Sequence, residues 1–515
     1  MEQKKSQLKT GIVLNYVNII LGNLIPVFYT PVMLSLLGQS EYGLYKLSSS
    51  ITSYLSLISL GIGSAVTRFL IKSREEDGKE AEERVLGLFM RVFRIISLAS
   101  LLLGTALVLC LDFFYGSSLS NEEIVRMKIV VFIMVCNTSI SFSQAPYASV
   151  VTAHERFIFL QCANIITTCL GPIVNLIALY LGFASIGMAI SSLLVGLICR
   201  IAYHIYVVKY MHIKPRYDNP PAHLIKDILS FSFWVFIGNI VGQLYNATDT
   251  ILIGMIPSLA TSGVAVYSIG NTFNSIVFSL SVGMSSLLIP KANKMVFQSA
   301  SNHELTDLCI RVGRIQCMII SLVVSGFIAF GKPFIYFYAG EEYTEAYWVA
   351  IFTMIPNMIP LVQSMCLSII TAQNRHRFRS IVYLIIAILN VLGTWVLLHS
   401  FGIIGAAAMT GIALILGTGF AMNWYYHKKT GLDMIRFWKS IGKIYVIPGA
   451  LSAITICVSK FIDLYCIPVL LIGIVLYTIA YCLLNWILIM NGYEKDLIRA
   501  PIKRLFRRHK KNLKD

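Results

Sequence analysis

The chain is short of charge. Only 13% of its 515 residues are Asp, Glu, Lys or Arg, while 57% are hydrophobic. An average soluble protein carries about 25% charged residues. With a mean hydropathy of +0.73, too little polar surface is left to cover a water-soluble body. Paired cysteines are missing too: none of the 11 forms a CxxC motif or sits beside clustered histidines. That argues against a structural zinc site or a dithiol centre. Cys136, Cys162, Cys169, Cys199 and Cys457 lie in apolar runs and read as small core residues. No Gly-rich phosphate loop occurs, which argues against ATP hydrolysis. Long polar loops are absent as well. A membrane enzyme such as an O-acyltransferase or a glycan polymerase needs positioned acids, histidines or arginines, often on a large external loop. The nine histidines are scattered, with His154, His303, His376 and His427 all in short connections. No enzyme is expected.

What the chain has instead is apolar runs of about 20 residues, each long enough to cross a hydrocarbon core of about 30 Å. They lack the alternation of a barrel strand, and backbone groups in lipid must be paired within the segment, so the runs are helices. About fourteen spans are expected, near 11–37, 43–71, 86–111, 125–150, 158–181, 184–208, 227–256, 264–289, 312–337, 346–371, 378–399, 402–426, 443–462 and 467–490. The first is too long for a cleaved signal and reads as an uncleaved span. The fold class is therefore an all-α polytopic membrane protein.

Charge sets the expected orientation. Most of the 42 Lys and Arg fall in the N-terminus and in every second connection. The alternate connections hold only Arg126, Lys128, Lys332 and Lys460. The positive-inside rule then places both termini in the cytoplasm. The net charge of +17 follows mostly from this bias. The basic tail (Arg504, Arg507, Arg508, Lys510, Lys511) is suited to anionic lipid headgroups, and no nucleic-acid partner is expected.

The sequence also repeats. Arg91-Val-Phe-Arg-Ile95 returns as Arg311-Val-Gly-Arg-Ile315. Gln144, Ser149, Thr152, Ala153 and Arg156 return as Gln363, Ser368, Thr371, Ala372 and Arg375. Tyr45, Ser53, Ser59, Gly61 and Ser64 return as Tyr267, Ser275, Ser281, Gly283 and Ser286. Gly187 and Ala189 return as Gly405 and Ala407. Four patches in order, at offsets of 218–222 residues, indicate two copies of a six-span unit. Six is even, so the copies run parallel, an arrangement suited to alternating access. The expected organisation is a first lobe at 1–208, a cytoplasmic linker at 209–226, a second lobe at 227–426, two extra spans at 427–490 and the tail at 491–515.

Polar side chains are costly in lipid and tend to face a cavity or another helix. Matched polar rows occur on spans 1, 2, 7 and 8, and the expectation is that they line one water-accessible space. The cavity candidates are Asn23, Lys46, Ser53, Asn239, Gln243, Asn246, Asn271 and Asn274. Asp249 is the one acid well inside a span, and it is the candidate for coupling or gating, paired with Lys46 across the outer mouth. Arg68, Arg91, Arg94, Arg200, Arg311 and Arg314 lie toward inner ends of spans and could form a cationic vestibule for an anionic headgroup. Arg68 and Arg200, the deepest, are the foremost candidates. Pro26, Pro31, Pro146, Pro172, Pro356 and Pro360 mark possible bends.

Three stretches carry a family resemblance. They are Pro31-Val-Met-Leu-Ser-Leu-Leu-Gly-Gln-Ser-Glu-Tyr-Gly-Leu-Tyr45, continuing through Ser59-Leu-Gly-Ile-Gly63 to Arg68; Asp249-Thr-Ile-Leu-Ile-Gly254 with Gly263-Val-Ala-Val-Tyr267; and Asn390-Val-Leu-Gly with Phe401-Gly-Ile-Ile-Gly-Ala-Ala407. The chain resembles Wzx-type polysaccharide flippases of the multidrug/oligosaccharidyl-lipid/polysaccharide exporter superfamily. The resemblance implies two six-helix lobes in a V plus two trailing helices, in a bacterial inner membrane. It implies transfer of an undecaprenyl-diphosphate-linked oligosaccharide from the cytoplasmic to the outer leaflet, with membrane lipids, a polysaccharide polymerase and glycosyltransferases as partners. Lipid II flippases of this superfamily carry arginines in their first span, and drug exporters often an acid; span 1 here has neither, only asparagines. No bound cofactor is expected. A proton or sodium gradient could drive the cycle through Asp249, and a substrate gradient alone could also suffice. The alternative within the same fold is a cation-coupled exporter of small molecules.

Overall fold

The computed structural model describes residues 2–218, 222–285, 288–373, 375, 377–497 and 499. Those residues are helical almost throughout, with no strand among them. In order the helices are α1 (Glu2–Leu37), α2 (Gln39–Ser53), α3 (Ile62–Tyr115), α4 (Asn121–Phe142), α5 (Ala145–Ala153), α6 (Phe157–Tyr180) and α7 (Ala184–Ile205). Next are α8 (Ala222–Asn246), α9 (Thr248–Gly254), α10 (Ala260–Ser285), α11 (Ile289–Phe297), α12 (Asn302–Ala339), α13 (Ala346–Val362) and α14 (Ser364–Ala372). Last are α15 (Arg377–Leu414), α16 (Asn423–Lys428), α17 (Met434–Gly442), α18 (Val446–Val458) and α19 (Ile467–Leu484).

Ten stretches of the described residues are long and apolar enough to cross a membrane. One of them, Phe378–Lys428, bends at Gly402, where φ is 60°, a conformation natural only to glycine. The helices α2, α8–α9 and α10 are not among the ten. With α1 they carry the polar rows; α2 has only 15 residues, and the apolar stretch of α8 is the short Val235–Tyr245. The arrangement is consistent with fourteen spans. Burial is inverted relative to a soluble protein: Leu98, Leu102 and Leu109 on α3, and Leu471, Val475 and Leu476 on α19, all stand exposed. Such faces suit hydrocarbon.

Local breaks follow the repeat. The pair α4–α5 is interrupted at Gln144, and α13–α14 is interrupted at Gln363. Each glutamine reaches a later helix: the Gln144 amide meets Cys199 Sγ at 3.8 Å, and the Gln363 amide donates to Asn423 Oδ1 at 2.7 Å. A break that recurs at matched positions is evidence for duplication independent of residue identity.

The chain packs into two compact units. The first comprises Met1–Ile269 and Tyr383–Met409, the second Gly270–Val382 and Thr410–Asp515. The first unit has a core around Leu70, Leu86, Phe89, Phe93, Val150 and Val207. Ile213, from the stretch expected to be a linker, is buried in that same core. Arg216 N–H donates to the Glu83 carbonyl at 2.9 Å, and a Cβ on Gly87 would overlap the Arg216 carbonyl. So residues through 216 are docked on α3. In the second unit Phe330 packs on Leu470 and Tyr477, tying α12 to α19. The basic tail beyond residue 499, together with His376, lies outside the described residues.

Candidate functional site

Within the first unit the polar rows of α2 and α8 meet. Ser53 Oγ donates to Gln243 Oε1 at 3.1 Å, and Gln243 Nε2 donates to Ser56 Oγ at 3.1 Å. The Tyr54 hydroxyl donates to the Gln243 carbonyl at 3.3 Å and bonds Thr248. The local cause is a shared irregularity. After Ser53 the helix tightens into a 3-10 stretch, Tyr54–Ser59, and reaches left-handed backbone at Leu60 and Gly61. α8 ends at Asn246 and α9 starts at Thr248. Broken helices free backbone carbonyls, and nearby side chains take them up.

Asp249 sits beside this junction, 2% exposed. It accepts from the Tyr267 hydroxyl at 2.6 Å and from the Thr394 hydroxyl at 3.4 Å. Lys46, by contrast, lies over the Tyr42 ring, 5.4 Å from its centroid. The expected Lys46–Asp249 pair is not among the ion pairs of the described residues. The reason is local. Tyr267 and Thr394 satisfy the carboxylate, and the aromatic face of Tyr42 takes the amine.

One end of this unit is latched. Glu123, in the first turn of α4, accepts from Ser40 at 2.7 Å and from Thr261 at 3.1 Å. Burial would raise its pKa, yet hydrogen bonds from Ser40, Ser120 and Thr261 outweigh burial and hold it below the usual carboxylate value. Gly43 is required here, since a Cβ would overlap the Thr261 carbonyl oxygen. Beside the latch, Arg126 donates to Glu41 at 2.5 Å, and Glu41 also accepts from Ser185.

The remaining candidates scatter. Asn23 is half-buried on α1, and its amide donates to its own Ile19 carbonyl at 2.7 Å. Two other polar groups of α1 face α6: Asn18 accepts from Thr168, and Tyr29 accepts from Asn175. Asn239 and Arg68 are exposed and Arg200 is half-buried, all in the first unit. Asn246 closes α8, but its side chain lies outside what is described. Asn271 and Asn274 belong to the second unit, where Asn274 donates to Asn271 at 3.3 Å and accepts from Asn357 at 2.9 Å.

The arginines expected as a vestibule are largely occupied by protein groups. Arg314 is 8% exposed and binds Glu494 at 2.6 and 3.0 Å, the Ser440 carbonyl at 3.1 Å and the Ile489 carbonyl at 2.9 Å. Arg311 lies over Tyr493. Arg91 and Arg94 lie over Tyr217. Four of the six cations are therefore partnered by segments that nothing in the linear pattern places there.

Tyr54, Thr248 and Thr394 were not singled out from sequence. Tyr54 interrupts a serine row, and only the 3-10 turn brings its hydroxyl toward Gln243. A cavity of about 570 Å³ occurs in the second unit, lined by residues such as Ser321 of α12, Pro356 of α13, Ser452 of α18 and Tyr445 just before α18. None of the candidate residues lines it. No group of three or more His, Cys, Asp or Glu among the described residues is placed to hold a metal.

Comparison with known proteins gives a consistent picture. Over 230 residues the chain is 22% identical to a protein of Haloferax volcanii named as a probable low-salt glycan biosynthesis flippase, Agl15. That match covers 44% of this chain and 47% of the relative, so the chain spans about half the length of the curated relative it matches. Among solved structures, the lipid II flippase MurJ superposes with a TM-score of 0.72 at 17% identity, covering 93% of this chain and 100% of MurJ. A multidrug resistance MATE family transporter of the MOP superfamily superposes with a TM-score of 0.67 at 14% identity, covering 82% and 99%. At such identities the likeness is one of fold: this is the fold of the multidrug/oligosaccharidyl-lipid/polysaccharide exporter superfamily, as the resemblance implied. Residues 8–296, more than half of the sequence, match the family described as polysaccharide biosynthesis protein, and the chain belongs to that family.

Proposed function

We propose that this protein is a flippase, not an enzyme, for lipid-linked oligosaccharide. It carries undecaprenyl-diphosphate-linked repeat units from the cytoplasmic to the outer leaflet of a bacterial inner membrane, for assembly of surface polysaccharide. Both termini are cytoplasmic in this reading, as the Lys/Arg bias requires. One observation carries it: in a chain of this family, hydroxyl and amide groups of Ser53, Ser56 and Gln243 meet at a helix break inside membrane-spanning segments. A sugar-diphosphate headgroup cannot cross hydrocarbon unaided, because its polar groups would go unpaired. Groups of this kind can exchange bonds with one another for bonds with sugar hydroxyls, while the lipid tail stays in the bilayer.

Alternating access then needs a closure that opens. The Ser40–Glu123–Thr261 latch with the Gly43 approach is such a closure, and it lies at the end opposite the N-terminus of α1. Asp249 is the candidate carrier for a proton or sodium gradient, since neutralising it would change its bonds to Tyr267 and Thr394. That buried acid also favours the second reading, a cation-coupled exporter of small molecules. Deleting the gene separates the two. A flippase deletion accumulates undecaprenyl-linked glycan in the inner leaflet, measured by radiolabelled lipid extraction and by accessibility to a membrane-impermeant glycosidase. Normal surface glycan after deletion, in a strain without a paralogue, would refute the flippase reading.

A further inference from the structure

The repeated Arg-x-x-Arg motif is used differently in its two copies. In the second unit one of its two arginines is neutralised from within: Arg314 forms a two-oxygen pair with Glu494, and both are nearly buried, while Arg311 lies over Tyr493. In the first unit the equivalent arginines meet a tyrosine, and no acid pairs with them among the described residues. Arg94 donates to the Tyr217 hydroxyl at 2.8 Å, and the guanidinium carbons of Arg91 and Arg94 lie 5.4 and 5.2 Å from the ring centroid. The acids nearest in the chain are engaged elsewhere: Glu83 with Arg216 at 3.0 Å and Asp218 with Arg84 at 3.7 Å. Arginine stays charged at any physiological pH, and two like charges three residues apart on a helix repel. An anion placed between them relieves that repulsion.

The same helix face indicates which anion. From Arg91 and Arg94, exposed Ile95, Leu98 and Leu102 (68, 59 and 63%) continue along α3 at helical spacing. A cationic head followed by an apolar stripe matches an amphiphile that has an anionic head and a chain. We propose that Arg91, Arg94 and Tyr217 bind the phosphate of an anionic phospholipid, whose acyl chain lies along Ile95, Leu98 and Leu102. Guanidinium forks bind phosphate oxygens in pairs, and the tyrosine ring holds both forks in place. Because Tyr217 belongs to the segment docked on α3, a bound lipid also fastens that segment to the helix. This proposal stands whether or not the protein flips glycans.

The test uses the full chain in nanodiscs of mixed phosphatidylglycerol and phosphatidylcholine, transferred to detergent and examined by native mass spectrometry. The wild type retains phosphatidylglycerol, and R91Q/R94Q retains about tenfold less, the loss expected from hydrogen bonds to a charged group. Arg311→Gln, at the matched site of the other unit, leaves retention unchanged. If the double variant is not monodisperse, Arg94→Lys and Leu98→Gln replace it, each with a partial loss expected. Equal retention by a folded variant overturns the site. Displacement of the lipid by millimolar inorganic phosphate assigns the site to a free anion. Displacement by stoichiometric polyprenyl diphosphate assigns it to a transported lipid. Either displacement overturns the phospholipid assignment.

Discussion

Asp249 and Arg314 show how differently two ionisable residues in one apolar chain can be used. Arg314 is consumed by structure. Its donors go to Glu494 and to the carbonyls of Ser440 and Ile489, which pins the segment after α19 onto α12 and α17. Removing one member of such a pair leaves the other charge buried and uncompensated, a cost of about 3–5 kcal/mol. Arg314→Ala should therefore lower the unfolding midpoint of the purified protein markedly. An R314M/E494M double variant should recover most of that loss, because both charges then leave together. Asp249 accepts from the neutral hydroxyls of Tyr267 and Thr394. Asp249→Asn keeps the shape and should leave the unfolding midpoint nearly unchanged. In proteoliposomes it should abolish the response of transport to an imposed proton or sodium gradient. A variant that still responds would remove Asp249 from the coupling role.

At the scale of elements, the broken helices carry the working contacts. The 3-10 stretch after α2 and the α8–α9 break are aligned so that Tyr54, Ser53 and Gln243 meet across them. The Glu123 latch joins the beginnings of α2, α4 and α10, and it titrates. Its carboxylate is held below the usual value in the folded protein, so its contribution is complete above the ordinary carboxylate pKa. That contribution is lost as pH falls through the lower, folded value. The wild type should thus be more stable than Glu123→Gln at neutral pH, and the gap should narrow and close as pH falls through the lowered, folded value. Thermal unfolding of both proteins across that range checks the sign. Gly43→Ala acts on the same contact without a charge, by pushing Thr261 away. It should raise the labelling rate of a cysteine placed at Ser53 by a reagent added from the latch side.

For the whole molecule, much was legible in the sequence. The helical class, the membrane and the duplication follow from one-dimensional facts: run length against bilayer thickness, charge placed only where water is, and residues recurring at one offset. The Asn and Ser rows on α2, α8 and α10 were also visible, because polar groups in apolar surroundings stand out. What each polar group bonds to was not visible. Ser53 with Gln243, Thr394 with Asp249, Tyr217 with Arg94 and Glu494 with Arg314 are separated by 190, 145, 123 and 180 residues. Hydropathy and periodicity report which way a side chain faces, not which distant segment arrives opposite it. Hence the arginines could be read as a free cationic lining, whereas most of them hold the docked connection and the segment after α19. Composition alone decided that this chain lives in a membrane, since the solvent acts on every residue in the same way. Only tertiary packing decided which of its buried polar groups are spent on one another, because that depends on pairwise geometry, which a linear pattern does not contain.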